Sequence, residues 1–151
     1  MTEKAVYRRD FPWEGLSLVA RVSLALIFLA AGLPKILDPR GFAQMIALYQ
    51  ILPDTLIHPA ALILPWLEVL LALLLLFRIA YPGAVLLTNG LLLGFTLALA
   101  FNLYRGLDIA CGCFSTRPEE ASGDTLFYLL RDASFLLLSS WLFLDLLRKK
   151  S

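Results

Sequence analysis

The chain has 151 residues, 60% of them hydrophobic and only 17% charged, with a net charge of +1. Soluble domains run nearer half apolar and a quarter charged, so this composition, with a mean hydropathy of +0.78, argues against an ordinary soluble domain and for a bilayer. The near-neutral balance gives no footing for a nucleic-acid partner, and the length allows one domain, spanning 1–151.

Four apolar stretches, about 16–37, 60–77, 82–104 and 125–147, are long enough to cross the hydrocarbon core, which takes about 20 residues. Lipid offers backbone groups no partner, and no strand pattern is visible, so each stretch is predicted helical. The predicted fold is an all-α membrane protein, a four-transmembrane-helix bundle with a short interfacial helix between the first two spans. Arg8 and Arg9 ahead of the first stretch resemble the start of a signal peptide. The run is too long for a signal h-region and shows no small-x-small cleavage site before Lys35, so this helix is expected to be retained.

Between the first two spans, Asp38-Pro39 reads as a helix start, with Asp38 as cap and Pro39 in the first turn. Phe42, Met45, Ile46 and Tyr49 follow at i, i+3, i+4 and i+7, and Pro53 ends the pattern. This short helix is expected to lie in the membrane interface and roof over the later cysteines, or simply to pack between loops.

Charges inside the spans are costly and usually face the bundle interior in pairs. Glu68 lies eight residues beyond Ala60 in the second span, and Arg131 six beyond Thr125 in the fourth, beside Asp132. At about 1.5 Å per residue these are roughly 12 and 9 Å deep, so the groups can meet. Lys35, near the end of the first span, can join Glu68 or Asp132. Two readings stay open: pairs that fix helix register, or a polar pocket suited to a quinone head group or to proton transfer. Pro34 and Pro65 are expected to loosen the first two spans at the same depth and free carbonyls toward a cavity. Gly90 and Gly94 in the third span form a small-xxx-small face, for which close helix packing is the default. A homo-oligomer is compatible with the sequence.

An even number of spans puts both termini on one side, with Lys4, Arg8, Arg9, Arg78, Arg148, Lys149 and Lys150. The opposite side carries Lys35, Arg40, Arg105 and Arg117, diluted by six carboxylates. The excess of cations assigns the termini to the cytoplasm and the loop after the third span to the periplasm of a bacterial inner membrane. Trp13 and Tyr81 are then expected at the inner interface, Tyr49 and Tyr104 at the outer.

That outer loop holds both cysteines, Cys111 and Cys113, in the stretch DIACGCFST. The compartment is oxidising, so a disulfide can form there. A bridge between residues two apart closes almost no loop, which removes the stabilising staple as a reading. Its small, strained ring, made accessible by Gly112, favours easy reduction instead, as an electron carrier needs. The alternatives are a metal site, with His58 as a third ligand, and inert small residues.

The stretches AAGLPKILDP, YQILP, LPWLEVLLALLLL, CGCF and LLRDASFLLL occur in this order over residues 16–145. With them the chain resembles the MauE family, within the broader DoxX-like membrane proteins. The resemblance implies a four-helix protein of periplasmic thiol-disulfide exchange, working with a thioredoxin-like partner on a disulfide-rich client. DoxX-like relatives imply a link to quinone-coupled electron transfer. By position, Cys111 and Cys113 would be the redox-active pair, and Lys35, Glu68, Arg131 and Asp132 its buried polar support. Ser115 departs from the pattern, which usually has glycine after CGCF. A non-catalytic assembly factor and a metal-ion handler are the competing classes.

Overall fold

The computed structural model describes residues 13–107, 116 and 124–150, with Trp13 and Lys150 described by their backbone alone. Cys111 and Cys113 lie outside the described residues. Five helices follow in chain order: α1 (Trp13–Leu37), α2 (Pro39–Tyr49), α3 (Asp54–Phe77), α4 (Tyr81–Tyr104) and α5 (Thr125–Lys150). All but α2 are long and apolar enough to cross a membrane.

α1 packs mainly on α3, and α4 on α5, while α1–α5 and α3–α4 contacts close the ring of four. The interior is a column of small and branched side chains, among them Ala20, Leu24, Ala25, Leu71, Ala72, Leu75, Val85 and Leu142, all at most 3% exposed. The outside is as apolar as the inside. Leu26, Ile63, Trp66, Leu86, Phe127 and Leu137 are each more than half exposed, a surface that only lipid tails would cover at no cost.

α3 begins at Asp54, six residues ahead of the apolar stretch read from the sequence. Pro59 and Pro65 lie inside it and Pro34 inside α1, yet both helices run through. At the turn of Pro65, α3 comes close to α1. A Cβ added to Gly32 would stand 2.9 Å from Val69 Cγ2 and 3.1 Å from the Pro65 carbonyl, so only glycine fits there without a shift. The small-residue approach is therefore at Gly32. A Cβ on Gly90 or Gly94 would meet nothing within 4 Å, so the expected close packing of that face does not occur within the chain. α4 is fastened to α5 by polar groups instead: Asn89 donates to the Ser139 carbonyl at 3.2 Å, and the Ser140 hydroxyl donates to Asn89 Oδ1 at 3.0 Å.

The short helix forms as its local chemistry predicts. Pro39 occupies the first turn, and the Asp38 carboxylate accepts from the Gly41 amide at 3.0 Å, satisfying an otherwise orphaned donor. Part of its apolar stripe packs on α3. Phe42, Ala43 and Met45 are buried against Ile57 and Ala61 of α3 as a second, smaller core. At its far end, Arg105 donates to Gln50 at 3.1 Å, tying it to the end of α4.

Candidate functional site

The last turn of α1 places a cation where the helix dipole favours one, and that cation is Lys35. Its ammonium lies 2.8 and 3.0 Å from the two carboxylate oxygens of Glu68, with the two side chains 1% and 2% exposed. Phe42 of α2 and Phe95 of α4 bracket the same ammonium, with ring centroids 4.8 and 5.3 Å from Nζ. Cation–π attraction thus replaces part of the lost hydration. The four helices α1, α2, α3 and α4 all contribute to the surroundings of this one charge.

Asp132 of α5 is equally buried, and its Oδ1 accepts from Arg131 at 3.1 Å. Arg131 is one-fifth exposed and lies over the rings of Tyr128 and Phe135, at 5.1 and 6.0 Å. Of the two partners open to Lys35 in the sequence, the structure selects Glu68. Asp132 nevertheless meets the pair: Glu68 and Asp132 both line a cavity of about 30 Å³, otherwise walled by apolar groups such as Phe28, Leu92 and Phe135. The volume is about that of one water molecule, but the lining is almost wholly apolar.

On the other side of Phe42 and Phe95 lies a second pocket, of about 130 Å³. Met45, Ile46 and Tyr49 of α2, Leu64 of α3 and Ala98 of α4 wall it, and the lining is almost wholly apolar. Phe95, one of the two rings against Lys35, lines both cavities.

The segment that carries Cys111 and Cys113 leaves from the C-terminal end of α4 and returns at the start of α5, the same end of the bundle as Lys35 and α2. Its described member, Thr116, has its carbonyl 2.8 Å from where a Cβ on Gly41 would stand, so Thr116 lies against the first turn of α2. His58 is exposed near the start of α3. Among the described residues no three His, Cys, Asp or Glu side chains group as a metal site, and the set proposed from sequence includes the two cysteines.

Phe42 and Phe95 as neighbours of Lys35 were not legible as such. Phe42 shows only as part of an amphipathic stripe, and Phe95 as one apolar residue in an apolar run. Arg21, in α1, was overlooked although an arginine inside a span is itself a signal.

The sequence profile described as Methylamine utilisation protein MauE matches residues 14–145. The chain belongs to the MauE family. The match takes in all four spans, the buried charges and the cysteine segment together. The methylamine utilization protein MauE of Methylophilus methylotrophus is 35% identical over 117 residues, covering 77% of this chain and 61% of that protein. That of Paracoccus denitrificans is 41% identical over 96 residues, covering 62% and 51%. The chain thus spans about half to three-fifths of the length of these relatives. No solved structure matches it.

Proposed function

We propose that this MauE-family membrane protein is a thiol-disulfide redox protein whose Cys111/Cys113 pair exchanges electrons between a thioredoxin-like partner and a quinone. The observation that carries the reading is the juxtaposition at one end of the bundle. There α4 ends and α5 begins, so the chain through Cys111 and Cys113 joins the bundle at the end where Thr116 meets the first turn of α2 and where Lys35, Glu68 and Asp132 are buried. The bacterial inner membrane, with termini in the cytoplasm and cysteines in the periplasm, is part of the proposal and rests on the excess of basic residues at the opposite end. The relatives are named for methylamine utilization, and participation in that process is proposed here as well.

The proposed cycle balances as follows. A partner thiolate attacks the Cys111–Cys113 disulfide, and its second thiolate resolves the mixed disulfide, leaving the partner oxidised and the pair as two thiols. Those thiols then pass two electrons and two protons to the quinone, which leaves as hydroquinone while the disulfide re-forms. The reverse sequence uses the same steps to reduce a partner. The apolar pocket under α2 suits the quinone's hydrocarbon part, and the Lys35 ammonium, against the Phe42 and Phe95 rings that line it, is the cation proposed for a quinone carbonyl. Glu68 and Asp132, which border one small cavity, are the carboxylates proposed to take up the protons.

Labelling with a membrane-impermeant maleimide in intact cells, before and after mild reductant, tests the reading. Labelling only after reductant is expected. A pair that stays unreactive both times, or that labels only after lysis, overturns it.

A further inference from the structure

The opposite end of the bundle carries a second polar site that the thiol reading does not use. The start of α1, the three-residue α3–α4 turn and the end of α5 enclose a pocket of about 320 Å³, lined by Glu14, Ser17, Arg21, Arg78, Tyr81 and Lys149. Arg78 and Arg21 lie over the same Tyr81 ring, at 5.6 and 6.0 Å from its centroid. Lys149 is matched by Asp145 at 3.0 Å, but neither arginine makes an ion pair among the described residues. Arg21 Nε is moreover buried with no hydrogen-bond partner.

Two guanidinium groups on one ring, with no carboxylate paired to either among the described residues, are unfavourable in a protein with few charges. Arg21 is the costlier, since it stands eight residues into α1, roughly 12 Å along its axis. A bound anion removes both penalties. The charges specify its valence: with Lys149 neutralised by Asp145, the two arginines against the Glu14 carboxylate leave one net positive charge. The depth of Arg21 and the exposed apolar flank of Leu18, Phe77 and Ile79 specify its setting, a headgroup whose chains run down the outside of the bundle.

We infer that this pocket binds the phosphodiester of an anionic glycerophospholipid, with Arg21 and Arg78 as its donors. A guanidinium fork matches phosphate oxygens, and basic pockets between membrane helices hold such headgroups. Glu14 disfavours a doubly charged phosphate monoester. The site is independent of the cysteines and stands whether or not they carry electrons.

The full-length protein in nonionic detergent, titrated with phosphatidylglycerol or phosphatidylcholine and read by native mass spectrometry, tests the assignment. One phosphatidylglycerol is expected to bind on the order of tenfold more tightly than phosphatidylcholine, and millimolar inorganic phosphate should leave it in place. Arg78→Gln, on an exposed turn where folding is not at risk, and Arg21→Gln should each abolish the preference. Arg148→Gln, exposed at the same end but outside the pocket, should keep it. Equal binding of the two lipids, or an equal loss in Arg148→Gln, overturns the pocket as a lipid site in favour of diffuse attraction. Displacement by inorganic phosphate overturns the lipid assignment in favour of a free anion.

Discussion

Lys35 and Glu68 lie 33 residues apart in sequence, and the ammonium of one contacts both carboxylate oxygens of the other in a place that water barely reaches. Removing one partner of such a pair leaves an uncompensated buried charge. Lys35→Met and Glu68→Gln should each cost about 3–5 kcal/mol, whereas replacing both by apolar residues should restore much of that. Thermal unfolding of the singles and the double variant in detergent checks the expectation. The double variant also separates packing from chemistry. If the pair serves quinone or proton transfer, it folds but passes no electrons from thiols to quinone; full transfer would confine the pair to holding α1 on α3.

The glycines give a second contrast. A methyl group at Gly32 must push against Val69 and the Pro65 carbonyl, and backbone does not yield as a flexible side chain does. Gly32→Ala should destabilise by about 1–3 kcal/mol. Gly90→Ala and Gly94→Ala meet open space and should instead gain about 0.5–1 kcal/mol each, because alanine loses less backbone entropy in a helix. The same unfolding measurement ranks all three, and a Gly94→Ala loss as large as that of Gly32→Ala would refute the assignment of the close contact.

What could be read from the sequence was what depends on local rules or on length. A stretch of 20 apolar residues in lipid leaves only a helix. Asp38 caps α2 because an oxygen three bonds from Cα reaches an amide three residues on, whatever surrounds it. Comparing depths also put Lys35, Glu68 and Asp132 within reach of one another. What could not be read was rotation about a helix axis. The spacing of Gly90 and Gly94 defines a face but not what that face meets, and Gly32 shows its role only against Pro65. The bracketing of Lys35 by Phe42 and Phe95 requires α2 and α4 to be placed first. α3 starts six residues ahead of the apolar stretch, because the count of apolar residues begins at Ala60 whereas the helix runs through Pro59 at the cost of one hydrogen bond.

The pocket under α2 offers a way to separate the two halves of the proposed cycle. Ile46 of α2 and Ala98 of α4 both line its apolar space, and neither belongs to the charged set of the site. Ala98→Trp should fill it. The expected outcome is loss of quinone reduction by more than about tenfold, with thiol exchange toward a small disulfide left unchanged. Quinone absorbance and thiol titration read the two halves separately. Quinone reduction that survives the filled pocket would place the quinone elsewhere.

The cysteines allow the most direct test of the exchange step. In a C-x-C pair, the thiol that attacks or is attacked by the partner forms an intermolecular bond, and the other breaks it. Removing the resolving thiol should therefore lengthen the life of the mixed disulfide, while removing the attacking thiol prevents its formation. Cys111→Ser and Cys113→Ser, expressed separately, should differ accordingly. One is expected to carry a partner protein on a non-reducing gel that disappears with reductant, and the other to carry none. A metal-handling pair gives a different pattern, since both variants would lose one of two thiolate ligands and weaken Cu(I) or Hg(II) binding alike, with no adduct in either. An assembly factor that holds its client without turnover predicts neither adduct nor metal loss, and normal function in both serine variants. The asymmetry between the two variants thus decides among the three readings, and the partner trapped in the productive one identifies the other end of the reaction.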